Sequence, residues 1–209
     1  MPFPPLPSRT QDRRSFLRAA VVLAAAVPLA ACAGAEDPLA AQARAGNDKN
    51  YIAGDGSVEV YDADQRTDPV DLTAETYDGE SVSTADWRGN VGILNFWYAA
   101  CAPCRVEAPH LVSLHEQFAP QGVRFLGVNV RDTVTTAQAF ERTFEIPYPS
   151  IEDARGDVLL NMTDYVPPQA VPSTLVLDVE GRVAARVLGA VEESTLRALL
   201  TTVVDEAAA

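Results

Sequence analysis

Basic residues, cysteines and histidines are scarce in this chain of 209 residues, which has 16 Lys plus Arg against 29 Asp plus Glu, three Cys and two His. The deficit of positive charge excludes nucleic acid as a partner, since an acidic surface is repelled by phosphate backbones. It also means that any attachment to anionic lipid cannot come from the protein surface itself. A long apolar run is missing too. The stretch from Ala19 to Ala31 has 13 residues, whereas a bilayer-spanning helix needs about 20. With no internal repeat and 47% hydrophobic residues, the composition is that of an ordinary packed domain with an appendage.

The N-terminal 31 residues read as a cleaved signal peptide, because Arg9, Arg13, Arg14 and Arg18 precede the short apolar run. Asp12-Arg13-Arg14-Ser15-Phe16-Leu17-Arg18 resembles a twin-arginine export signal, with Asp12 where Ser or Thr is usual. General secretion is the alternative route. Leu29-Ala30-Ala31-Cys32 resembles a bacterial lipobox, which implies that Cys32 is acylated and ties the chain to the extracytoplasmic face of the cytoplasmic membrane. Cysteine arithmetic agrees, since removing Cys32 leaves Cys101 and Cys104 as a closed pair. Removing residues 1–31 takes away four Arg and one Asp and leaves 12 basic against 28 acidic residues, a net charge of −16. Residues 32–57, rich in Ala, Gly, Asp and Asn, read as a flexible tether averaging roughly 25 to 30 Å end to end.

The domain is expected over 58–209. Val58–Tyr61 and Val70–Tyr77 alternate as strands do, and Asp78-Gly79-Glu80 is a hairpin turn leading into Ser81–Ser83. Val91–Trp97 is nearly all apolar, the pattern of a strand buried on both faces. Val106, Leu111, Leu114 and Phe118 recur at helical spacing and predict a helix over 102–118, kinked at Pro109. A strand over 123–130 and helices over 135–144 and 155–162 follow. Strands over 174–178 and 183–188 then flank the turn Glu180-Gly181-Arg182, and a helix over 192–204 closes the chain. The tally is a β-α-β core, a helical insertion and β-β-α, an α/β fold in three α/β/α layers around a central mixed sheet with an N-terminal β-hairpin extension.

Cys101-Ala102-Pro103-Cys104 falls where a buried strand hands over to a helix. Free N–H groups and the positive dipole end at a helix N-terminus stabilise a thiolate, so Cys101 is the candidate nucleophile. Cys104, one turn on, suits the resolving role, and Pro103 is tolerated in the first turn. A structural disulfide is the alternative, but so small a loop adds little by closure. Half of a zinc site would need His110 and His115, whose spacing from the Cys pair matches no common zinc pattern, so no metal is expected. A thiol peroxidase would need a peroxidatic Cys motif, and none is evident.

Over 58–204 the chain resembles the thioredoxin-like superfamily, and more narrowly the membrane-anchored TlpA/ResA/DsbE group. The matching residues are Asn95-Phe96-Trp97, the C-x-x-C, Glu107 with Pro109, Val171-Pro172-Ser173-Thr174, and Asp178 with Gly181-Arg182. The resemblance implies a thiol-disulfide oxidoreductase whose only redox group is the Cys101–Cys104 disulfide. It implies a cis Pro172 packed against the pair, with the backbone of Val171 pairing with an extended client. Trp97, Ala102 and Pro103 would complete the client surface. Glu107 would tune or relay the thiol proton, a role that Asn95 cannot take because it does not titrate. The family's frequent traffic is reduction of exported clients such as apocytochrome c, with electrons from a membrane dithiol; oxidation or reshuffling of disulfides in secreted proteins is the alternative. The chain departs from the family at Tyr165-Val166-Pro167-Pro168-Gln169-Ala170, where a less proline-rich loop is usual.

Overall fold

Six consecutive buried residues, Gly92–Trp97, form the central strand β4 of a computed structural model that describes residues 57–208. The expected signal peptide, Cys32 and the tether up to residue 56 lie outside the described residues. The other strands are β1 (Val58–Val60), β2 (Thr73–Glu75), β3 (Ser81–Ser83), β5 (Arg124–Asn129), β6 (Ser150–Glu152), β7 (Ser173–Leu177) and β8 (Val183–Leu188). The helices are α1 (Ala102–Phe118), α2 (Val134–Phe144), α3 (Asp157–Asn161) and α4 (Glu193–Ala207).

The main sheet has the order β1-β8-β7-β4-β5-β6, and β2 and β3 form a separate hairpin. β4, β5 and β6 run parallel, while β7, β8 and β1 pair antiparallel. Two parallel steps in the same direction, each through a right-handed crossover, place α1 and α2 on one face. Alternation along β4 then sorts the core. On one face Ile93, Phe125 and Val176 meet Leu111, Leu114 and Phe118 of α1 and Leu196, Leu200 and Val203 of α4. On the other, Leu94, Phe96, Leu126, Val128 and Leu175 lie under Leu159, Met162 and Val166 together with Val70, Leu72 and Trp87.

The predicted mixed-sheet α/β architecture is present. The insertion is not purely helical, however: β6 sits between α2 and α3 and extends the sheet edge beside β5. α3 is shorter than predicted, because Gly156 holds φ at 79° just before it and the Asp153 carboxylate accepts from the N–H groups of Val158 and Leu159. α1 runs unbroken through Pro109. α4 continues to Ala207, past the predicted 204. No helix among the described residues is long and apolar enough to cross a membrane.

Candidate active site

The Cys pair stands at the end of β4. There the chain turns through Tyr98-Ala99-Ala100, with the N–H of Cys101 donating to the Tyr98 carbonyl at 3.1 Å. The turn is pinned from the loop after β5: Asp132 Oδ2 accepts from the Ala99 N–H at 2.5 Å and from Asn129 Nδ2 at 2.9 Å. Sequence reasoning missed Asp132, although Asn129-x-x-Asp132 just past a strand is a recognisable Asx-type loop signal.

Cys101 is the N-cap of α1. Its backbone is extended (φ −71°, ψ 110°) and its Sγ accepts from the Cys104 N–H at 3.2 Å. A sulfur thus occupies the place where Ser or Asp usually caps, and it faces the free N–H end of the helix dipole. Cys101 and Cys104 are joined as a disulfide with S–S 2.06 Å. Ala102 is exposed and Pro103 half-buried.

The sequence suggests a reachable Cys101, but in the oxidised pair it is 0% exposed and Cys104 2%. Both pack in one cluster with Trp97, Tyr98, Ala108, Phe140 and Val171. Trp97, expected as client surface, is 4% exposed and stacks on Phe140 with ring centroids 4.4 Å apart, so it supports the pair from within the core. The Val171–Pro172 bond is cis, as the resemblance implied. Val171 adjoins the pair, and its N–H donates to the Gln169 carbonyl at 3.1 Å, so this donor is already engaged before any client arrives.

Glu107 lies one turn beyond Cys104 and is 1% exposed. Its Oε1 accepts from Asn95 Nδ2 and its Oε2 from the Val191 N–H, both at 2.9 Å. Burial raises its pKa to about 8; the hydrogen bonds from Val191 and Asn95 pull the other way. Asn95 Nδ2 also donates to Thr174 Oγ1 at 3.1 Å. Asn95 is therefore the residue that holds the carboxylate, a role not read from the sequence. The two histidines nominated for zinc are engaged elsewhere: His110 Nδ1 lies 3.2 Å from the Val191 carbonyl, and His115 packs on Phe125 and Tyr148.

A parallel and antiparallel sheet, a C-x-x-C disulfide capping the helix after its central strand, and a cis Val171–Pro172 bond whose valine packs with the pair define a thioredoxin-like thiol-disulfide oxidoreductase. The chain belongs to the AhpC/TSA family, whose pattern matches residues 67–186. It is similar to "Thiol-disulfide oxidoreductase ResA" of Bacillus subtilis, 28% identical over 130 residues that cover 62% of this chain and 70% of that one. Among solved structures it is similar to a DsbF homologue from Corynebacterium diphtheriae, with a TM-score of 0.63, 33% identity, and coverage of 71% of this chain and 94% of that one. It is also similar to a secreted thiol-disulfide isomerase from Corynebacterium glutamicum, with a TM-score of 0.64, 31% identity, and coverage of 72% and 94%.

Proposed function

We propose that this protein reduces disulfides of exported clients such as apocytochrome c outside the bacterial cytoplasm, held to the cytoplasmic membrane through an acylated Cys32 and recharged by a membrane dithiol. The dithiol donor opens the Cys101–Cys104 disulfide and is itself oxidised to a disulfide. Cys101 thiolate then attacks the client disulfide to form a mixed disulfide. Cys104 attacks the Cys101 sulfur, releases the client as a thiol and restores the internal disulfide, so two electrons pass from donor to client and no other redox group is needed. Glu107, one turn from Cys104, sets how readily that thiol gives up its proton. Ala102, Pro103, Val171 and Pro172 form the surface over which the client chain passes, and its docking uncovers Cys101.

The buried Glu107 carries the reductase direction. The Glu107 carboxyl and the Cys104 thiol share one apolar site that cannot hold two negative charges, so an ionised Glu107 disfavours the Cys104 thiolate, which destabilises the reduced form's anion relative to the disulfide and makes the dithiol a better reductant. The name of the C. glutamicum neighbour favours disulfide isomerisation as the second reading. Equilibration with glutathione separates reductase from oxidase: a potential well below about −180 mV is expected, and a more oxidising one would overturn the reductase reading. Insulin reduction by dithiothreitol should be accelerated by the wild type and not by Cys101→Ser; equal rates would end the catalytic claim.

A further inference from the structure

The sheet registers Thr174, Asn95, Gly127 and Ser150 side by side, one from each of β7, β4, β5 and β6. Paired residues point to the same face, so this is a polar row beneath α1 and α2 to which Gly127 adds no side chain. Neighbouring side chains fill the space over Gly127: a Cβ there would stand 2.7 Å from Trp97 Nε1 and closer still to Ser150 Oγ. Against this row lies a cavity of about 10 Å³ whose lining includes Cys104, Asn95, Tyr148, Ser150 and Ile146. That is about the space that one water fills.

Beyond Ser150 the row continues to a second carboxylate. Ser150 is 2% exposed, and its Oγ finds no hydrogen-bond partner within the protein; the same is true of Glu141 Oε1 on α2 and of Tyr77 Oη. Ser150 lies near enough to favour the Glu141 anion, yet the two atoms do not meet hydrogen-bond geometry. Burial raises the Glu141 pKa, and Asp78 of the β2–β3 hairpin adds to the rise while Arg142 opposes it. Tyr77 faces Glu141 from the same hairpin, and Tyr148 is placed to feel both Glu107 and Glu141. Glu141 also lines a surface crevice with Asp78, Gln138, Arg142 and Glu145. Ile146 lines both that crevice and the inner cavity, so it is the partition between them.

We propose that Glu141 is a relay carboxylate which, through Ser150 and one water in this cavity, carries the Cys104 proton between the buried disulfide site and solvent. This rests on the exchange chemistry proposed above. When the dithiol closes, the Cys104 S–H proton leaves through the cavity water and Ser150 to Glu141 and then to the crevice, while the sulfur's electron pair forms the new S–S bond. When a donor opens the disulfide, the path runs inward and protonates the departing Cys104 thiolate. Asn95 cannot serve as this exit, since its amide does not titrate. Glu107 is sealed at 1% exposure, so it needs a route by which its own proton reaches water.

The test is closure of the reduced full-length protein by oxidised glutathione, followed from pH 5 to 9 by tryptophan fluorescence. Glu141→Gln should slow closure near neutral pH by about a hundredfold, the low end of what a proton-transfer group contributes. Glu141→Asp should recover much of the rate, and imidazole should restore Glu141→Gln in a concentration-dependent way from the crevice. Ser150→Ala, which removes the bridge and keeps Glu141, should show the same slowing without the imidazole response, and it carries the test if Glu141→Gln does not fold. A wild-type pH profile in both variants would overturn the relay. Absence of any closure in the wild type would instead sink the exchange chemistry, and the relay with it.

Discussion

Replacing Glu107 by Gln isolates the one buried carboxyl group at the Cys pair. Its pKa is about 8 in the fold against an ordinary value of 4.5, with burial as the leading cause. Between those two pH values the folded protein holds a proton that the unfolded chain has released. Stability is therefore fully present below about pH 4.5, falls as pH rises, and levels off above about pH 8. At about 1.4 kcal/mol per pH unit, the loss across that window is at most about 5 kcal/mol. Gln carries no such titration. It also places a second donor against Asn95 Nδ2, at a pH-independent cost of about 1 to 3 kcal/mol. Urea unfolding of both oxidised proteins from pH 4.5 to 9 should show Glu107→Gln less stable than wild type at pH 5, with the gap closing or reversing by pH 8. Taking the difference removes Glu141, which titrates in both. A difference that stays flat with pH would refute the buried, protonated carboxyl.

Three further outcomes follow from packing and hydrogen bonding. Leu114 is 0% exposed at the contact of α1 with the sheet and α4, so Leu114→Ala should cost about 2 to 5 kcal/mol in urea unfolding with the exchange chemistry retained in the folded fraction. Asp178, 4% exposed at its side chain, holds Arg66 and Arg182 and accepts from the N–H groups of Glu180 and Arg182. Asp178→Ala should cost about 3 to 5 kcal/mol, because it takes one of two carboxylates from the buried Arg66 and leaves the turn donors unpaired, and a loss under about 1 kcal/mol would contradict that. Asp132→Ala frees the Ala99 and Asn129 donors that pin the turn before Cys101. It should cost about 1 to 3 kcal/mol and raise amide exchange at Ala99 and Cys101; unchanged exchange there would show that the turn is held by other contacts.

Much of this was legible before any coordinates. The nearly all-apolar run of β4 betrays a central strand, and the 3.6-residue recurrence of Leu111, Leu114 and Phe118 predicts α1 to its observed ends. β6 escaped because Ser150–Glu152 is three residues long and too short to show a period. Its place is set by pairing with β5, a tertiary fact. The Cys pair and Glu107 could be nominated from spacing and resemblance, but their burial could not. That Trp97 lies under the disulfide, that Asn95 holds Glu107, and that Val191 from the β8–α4 connection donates to the same carboxylate all depend on segments far apart in the chain. The cis state of Pro172 was readable only through the family, since local sequence favours trans at most X–Pro bonds. The polar row ending at Ser150 and Glu141 left no sequence signal at all, being made of single residues from four strands and a helix.

Trapping the exchange intermediate reaches the central claim most directly. Cys104→Ser, reduced and mixed with a disulfide-bonded peptide, should accumulate a mixed disulfide that peptide mapping by mass spectrometry places on Cys101. No adduct at Cys101, or an equal yield at Cys104 in Cys101→Ser, would contradict the assignment of Cys101 as the sulfur that attacks.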